Sequence, residues 1–89
     1  MKAIITVVGC DRTGIIAGVS RVLAENDVNI EDISQTVMKN NFTMIMYVDI
    51  DESKATIEGL SALLAEEGKK LGVETQIRNA EIFTAMHRL

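Results

Sequence analysis

The hydrophobic pattern of this chain of 89 residues predicts a ferredoxin-like α+β sandwich, β-α-β-β-α-β, with one four-stranded antiparallel sheet and both long helices on one face. Three observations carry that prediction. Four short stretches are apolar throughout or at every second residue, as strands require. Two longer stretches between them repeat their apolar residues at helical spacing. The breaks carry Gly, Asn, Asp or Ser, which favour turns and caps.

Ala3 to Val8 is apolar on both sides, as in the centre of a covered sheet. From Ile15 the period changes: Ile15, Ile16, Val19, Val22 and Leu23 share a helical face, with Ser20, Arg21 and Glu25 outside. Asp11 or Thr13 is expected to cap this helix, and Asn26-Asp27 to stop it. Asn29 to Lys39 reads as a second strand whose alternation falters at Glu31-Asp32, as a β-bulge would cause. Asn40-Asn41 is expected to form a hairpin turn. Phe42, Met44, Met46, Val48 and Ile50 then mark one face of a third strand, with Thr43, Ile45, Tyr47 and Asp49 on the other.

Ser53 is expected to cap a second helix with the stripe Ile57, Leu60, Leu64 and Leu71, ended by Gly72. Val73 to Arg78 is the last strand. From Asn79 the helical signature returns in Ile82, Phe83, Met86 and Leu89. The chain therefore divides into a body, residues 1–78, and a C-terminal amphipathic helix, residues 79–89. No long helix is assigned to the sheet face that carries Ile45 and Tyr47. An amphipathic tail and a half-apolar face in one small chain suggest that one covers the other, within a subunit or between two.

Composition narrows the function classes. A formal charge of −4 and only three aromatic residues (Phe42, Tyr47, Phe83) argue against a nucleic-acid surface, which needs clustered cations or stacking rings. Cys10 is the single cysteine, so no internal disulfide forms, which suits a reducing compartment. No apolar run approaches the ~20 residues that span a bilayer. Val7-Val8-Gly9-Cys10 mimics a lipoprotein cleavage box, but the preceding run is shorter than a signal peptide. A cytoplasmic protein with no membrane partner is expected.

The loop Gly9-Cys10-Asp11-Arg12-Thr13-Gly14 is the most distinctive stretch. Its glycine spacing fits a phosphate loop, yet Ile15-Ile16 stands where that loop needs Lys-Ser/Thr. A lone Cys10 gives no C-x-x-C metal pair, and it reads as a small half-buried packing residue. The sole imidazole, His87, lies in the tail, and adjacent Asp11 and Arg12 diverge rather than pair. Neither a catalytic set, a metal site nor a cofactor is expected. What remains is a turn that caps a helix, or one whose backbone N–H groups hold a carboxylate, with Gly14 allowing close approach.

Two motifs give the chain its resemblance to a known family. Asp11-Arg12-Thr13-Gly14-Ile15 after the first strand and Asp27-Val28-Asn29-Ile30 at the start of the second resemble those of the ACT domain, a βαββαβ small-molecule-sensing module of amino-acid metabolism. The tail resembles the ending of small stand-alone bacterial members, related to glycine cleavage system transcriptional repressors. The resemblance implies homodimers or higher homo-oligomers with amino acids bound between subunits. It places Asp11, Arg12, Thr13, Gly14, Asn29 and Ile30 in the ligand-binding stretch. Within it Asp11, or Glu31 or Asp32, would accept the α-ammonium, the N–H groups near Gly14 the carboxylate, and Asn29 would face the ligand. Arg12 is expected to turn to solvent or to a partner subunit. Gly9 stands where serine-binding members carry histidine, and Thr13 where proline is commoner.

A non-catalytic amino-acid sensor at a homodimer interface is the function these readings favour. The alternative is a ligand-free adaptor acting on a protein partner through its C-terminal helix and open sheet face.

Overall fold

The computed structural model describes residues 1–81 and contains β1 (Lys2–Cys10), α1 (Ile15–Glu25), β2 (Asn29–Met38), β3 (Asn41–Asp49), α2 (Ile57–Leu71) and β4 (Val73–Asn79). The sheet order is β2-β3-β1-β4 with every neighbouring pair antiparallel. This is the ferredoxin-like arrangement that the pattern predicts. Alternation on the central strands sends Ala3, Ile5 and Val7, with Phe42, Met44, Met46 and Val48, to the helix side, where all are buried. The helices lay Ile15, Val19 and Leu23 and then Leu60 and Leu64 onto them. Each such side chain contributes ~1.5–3 kcal/mol of burial, before the entropy cost of ordering it.

Close packing between the helices, within the sheet and between α2 and β4 uses glycines. A Cβ at Gly18 of α1 would sit 2.8 Å from Glu67 Oε2, and one at Gly68 of α2 would sit 2.7 Å from the Val73 carbonyl oxygen. A Cβ at Gly9 would sit 2.7–2.9 Å from atoms of Gly72 and Val73. A histidine at Gly9 therefore has no room.

Several local expectations change. Thr56, not Ser53, caps α2: its hydroxyl accepts the Gly59 N–H at 3.1 Å, while the Ser53 hydroxyl is engaged with Ala55. Neither Asp11 nor Thr13 caps α1. Gly14 is its N-cap, at φ +95° in the left-handed conformation that glycine adopts without a Cβ penalty. The hairpin turn is Lys39-Asn40, at φ +50° and +70°, and Asn41 already pairs with Met38. A two-residue turn needs positive φ at both central positions, which fixes the turn one residue earlier than expected. Cys10 is exposed rather than half-buried. The expected bulge is present: Ile30 faces Val48 but Asp32 faces Tyr47, leaving Glu31 as the extra residue.

On the far side of the sheet, Ile45 and Val8 stay about half exposed (48% and 50%) and Tyr47 is 39% exposed. Among the described residues β1 is thus covered on one face only, not on both. At the end of β4 the Asn79 side-chain oxygen accepts the Glu81 N–H at 2.8 Å, as a helix cap does. The rest of the expected tail helix, with Ile82, Phe83, Met86, His87 and Leu89, lies outside the described residues.

Candidate functional site

The loop between β1 and α1 is tied to the β2–β3 hairpin by a hydrogen bond from the Asp11 N–H to the Asn40 carbonyl, 2.7 Å long. Between that loop, the first turn of α1 and the far end of β2 lies a solvent-open recess of about 290 Å³. Asp11, Arg12 and Gly14 form its rim, Ile16 and Ala17 one wall, and Gln35 and Val37 the other. Among the described residues, none beyond its immediate chain neighbours comes within 4 Å of the place a Cβ on Gly14 would occupy.

The electrostatics of the recess come from the backbone. The Gly18 N–H is the first to close a helical bond, onto the Gly14 carbonyl at 2.8 Å. The N–H groups of Ile15, Ile16 and Ala17 precede it, where a helix has no internal partner to offer. No side chain caps them, and no acidic residue lies in the first turn. Aligned peptide dipoles add partial positive charge at the same point. A bound carboxylate there is chemically reasonable.

The side chains in this region do different work. Asp11 is exposed on the rim. Arg12 reaches across to α2, donating to the Leu71 carbonyl at 3.4 Å, where the helix C-terminus attracts a cation. Thr13 is exposed and is not part of the recess lining.

Asn29 and Ile30 are elsewhere. Asn29 pairs with Asp49, which pairs with Lys2 at the start of β1, whereas the loop follows Cys10 at its end. The strand between them spans about 25–30 Å at ~3.3 Å per residue. One chain therefore gathers Asp11, Arg12 and Gly14 but not Asn29 and Ile30. The alternative carboxylates are engaged at that far end. Glu31 accepts from Lys2 at 2.6 Å, and Asp32 accepts its neighbour's Ile33 N–H at 2.9 Å. Asp49 accepts from the same ammonium at 3.0 Å, and these two hydrogen bonds raise the Lys2 pKa above its ordinary 10.5.

Gln35, Val37, Ile16 and Ala17 were not among the sequence-predicted site residues. The signal was present in the phase break. Counting from a bulge at Glu31 puts Ile33, Gln35 and Val37 on the helix side of β2, near the loop. Among the described residues, no group of three or more His, Cys, Asp or Glu converges as a metal site would require. No helix there is long and apolar enough to cross a membrane.

Known proteins share this architecture. A family model for the ACT domain matches residues 2–78. A UPF0237 protein of Methanocaldococcus jannaschii is 49% identical over 88 residues, 99% of this chain and 98% of that one, so relatives extend beyond bacteria. The solved ACT domain protein from Streptococcus pneumoniae superimposes with a TM-score of 0.82 at 48% identity, over 93% of each chain. A protein assigned as a glycine cleavage system transcriptional repressor superimposes at 0.73 and 26% identity, over 86% of this chain but 44% of that one. Matched over nearly its whole described length and at full-length identities near one half, the chain belongs to the ACT domain family.

Proposed function

We propose that this protein is a non-catalytic regulatory module that binds an amino acid between two copies of itself. The observation that carries this reading is the uncapped N-terminus of α1, opening onto an unfilled recess beside Asp11. The N–H groups of Ile15, Ile16 and Ala17 suit an α-carboxylate, and Asp11 suits an α-ammonium. A second copy accounts for the distance to Asn29. β2 is an edge strand of ten residues with Ile33 and Val37 exposed, the kind of edge that needs cover. Antiparallel pairing of two such edges sets the start of one β2 beside the end of the other. Asn29 and Ile30 of the partner subunit then approach the Asp11–Gly14 loop.

The test is thermal unfolding against the twenty amino acids at millimolar concentration. A ligand at a hundred times its dissociation constant adds ~2.7 kcal/mol, several degrees for a domain this size. Asp11→Ala and Asn29→Ala each remove that shift while leaving the unliganded melting temperature near that of the parent. Mixing and re-annealing the two variants restores part of the shift, because one of the two sites in a mixed dimer then has both residues. A flat panel with the parent protein overturns the reading.

A second reading, docking to another protein, is favoured by the apolar face of the sheet around Ile45 and Tyr47. Ile45→Asp would abolish co-purification of such a partner without altering the amino-acid response.

A further inference from the structure

The two edges of the sheet are guarded differently. β4, on one side, is seven residues long and carries Glu74 and Arg78. Charged side chains on an edge oppose pairing with another chain. β2, on the other side, has no charged residue from Ile33 to Met38, and its Ile33 and Val37 are 41% and 53% exposed. Both lie on the helix side with Gln35 between them, because they pair with the buried Met46 and Phe42, and Gln35 with the buried Met44. Ser34 and Thr36 alternate onto the open face.

We propose that two copies of this chain join through their β2 edges in one register, with Gln35 opposite Gln35 of the partner subunit on the two-fold axis. This pairing rests on the reading that two copies share the amino-acid site, and it fixes which residues meet there. An antiparallel pair centred on Gln35 sets Ile33 beside the partner's Val37 and Val37 beside the partner's Ile33. Between them the two Gln35 amides each offer the other a donor and an acceptor. Sliding the strands by two residues sets Gln35 against Ile33 or Val37, an amide against an apolar neighbour. Sliding them by one sets helix-side residues against open-face ones.

The same register completes the site. Asn29 pairs with Asp49 and Gln35 with Met44, so Asn29 stands five ladder positions from Gln35, Glu31 being the extra residue of the bulge. Asn40 lies five residues beyond Gln35 in the other direction. The axis therefore brings Asn29 of the partner subunit level with the turn at Asn40, whose carbonyl accepts the Asp11 N–H at 2.7 Å. One recess then lies on each side of the axis, with a Gln35 in the wall of each.

Residues directly opposite in an antiparallel pair have Cα atoms ~4.5–5.5 Å apart, within the ~4.4–6.8 Å that a disulfide spans. A two-residue offset carries them beyond ~7 Å, so only a residue on the axis links readily to its own copy. The test is mild oxidation of Gln35→Cys, Ser34→Cys and Thr36→Cys, each in a Cys10→Ser background, read by non-reducing denaturing electrophoresis. Gln35→Cys should form covalent dimer several-fold faster than either neighbour. A mixture of the Ser34→Cys and Thr36→Cys proteins should cross-link well beyond either alone, and so should Ile33→Cys mixed with Val37→Cys. Self-linking led by Ser34→Cys or Thr36→Cys overturns the register, as does the absence of any cross-link. The amino-acid panel on the parent protein answers separately. A flat panel with the Gln35 link present overturns the ligand and keeps the pairing, whereas a ligand shift without that link overturns the pairing alone.

Discussion

The two helices lie on the same face of the same sheet, yet their ends are built to different rules. α2 begins at Thr56, whose hydroxyl caps Gly59, and carries Glu58 in its first turn. It ends with Lys69 and Lys70 in its last turn and with Gly72 in the left-handed conformation. Every one of those features offsets an orphan backbone group or the helix dipole. α1 has no side-chain cap at its start, no acidic residue in its first turn and no basic residue in its last. A helix left bare at its start costs stability, and here the bare end opens onto the recess beside Asp11. The contrast separates a helix built for stability from one whose first turn is left free to meet something else.

The largest expected effect tests whether the helices differ only at their ends. Leu23→Ala on α1 and Leu64→Ala on α2 each remove a buried anchor, and each should cost ~2–5 kcal/mol in urea unfolding. Similar losses confine the difference to the termini. A much smaller loss for Leu23 would mean that α1 as a whole is loosely held.

The termini come next. Thr56→Ala should destabilise by ~1 kcal/mol through loss of its cap. Gly14→Ala should cost ~1–2 kcal/mol, because a Cβ disfavours φ +95°. The two variants part company with ligand present. Gly14→Ala should also reduce the amino-acid-induced shift in melting temperature, whereas Thr56→Ala leaves it intact.

The smallest effect lies at the opposite end of the sheet, where Lys2 holds Glu31 and Asp49. Its folded pKa is raised, so its contribution is fully present below the unfolded value near 10.5 and fades as pH climbs through the higher folded value. Lys2→Met should therefore lower the urea midpoint slightly at neutral pH, where the contribution is fully present, and the difference from the parent should close above about pH 10.5. The pair is exposed, so added salt should shrink the difference.

Much of the fold was legible because burial enforces period. Phe42, Met44, Met46 and Val48 alternate so regularly that a one-residue slip against β1 would turn them all out of the core. Caps were less legible. Ser53 and Thr56 carry the same kind of hydroxyl, and only the backbone path decides which of them meets an open N–H. The recess was half legible. Asp11 and Gly14 sit in a conspicuous loop, whereas Gln35 and Val37 come to it from a strand whose phase depends on the bulge. Asn29 could not be placed from its motif alone, because its position relative to the loop follows from strand direction, not spacing.

The bulge at Glu31 gives β2 one residue of slack. Loss of a single residue from a regular strand inverts every side chain beyond it, so Ile33 and Val37 would trade faces with Ser34 and Thr36. Loss of Glu31 itself leaves Ile30 opposite Val48 and Asp32 opposite Tyr47, now as consecutive pairs in an unbroken ladder. β2 can thus shorten by one residue there without disturbing either face, giving up only the Lys2 contact. Length variation along this strand should be tolerated at that point, and the recess downstream keeps its lining through it.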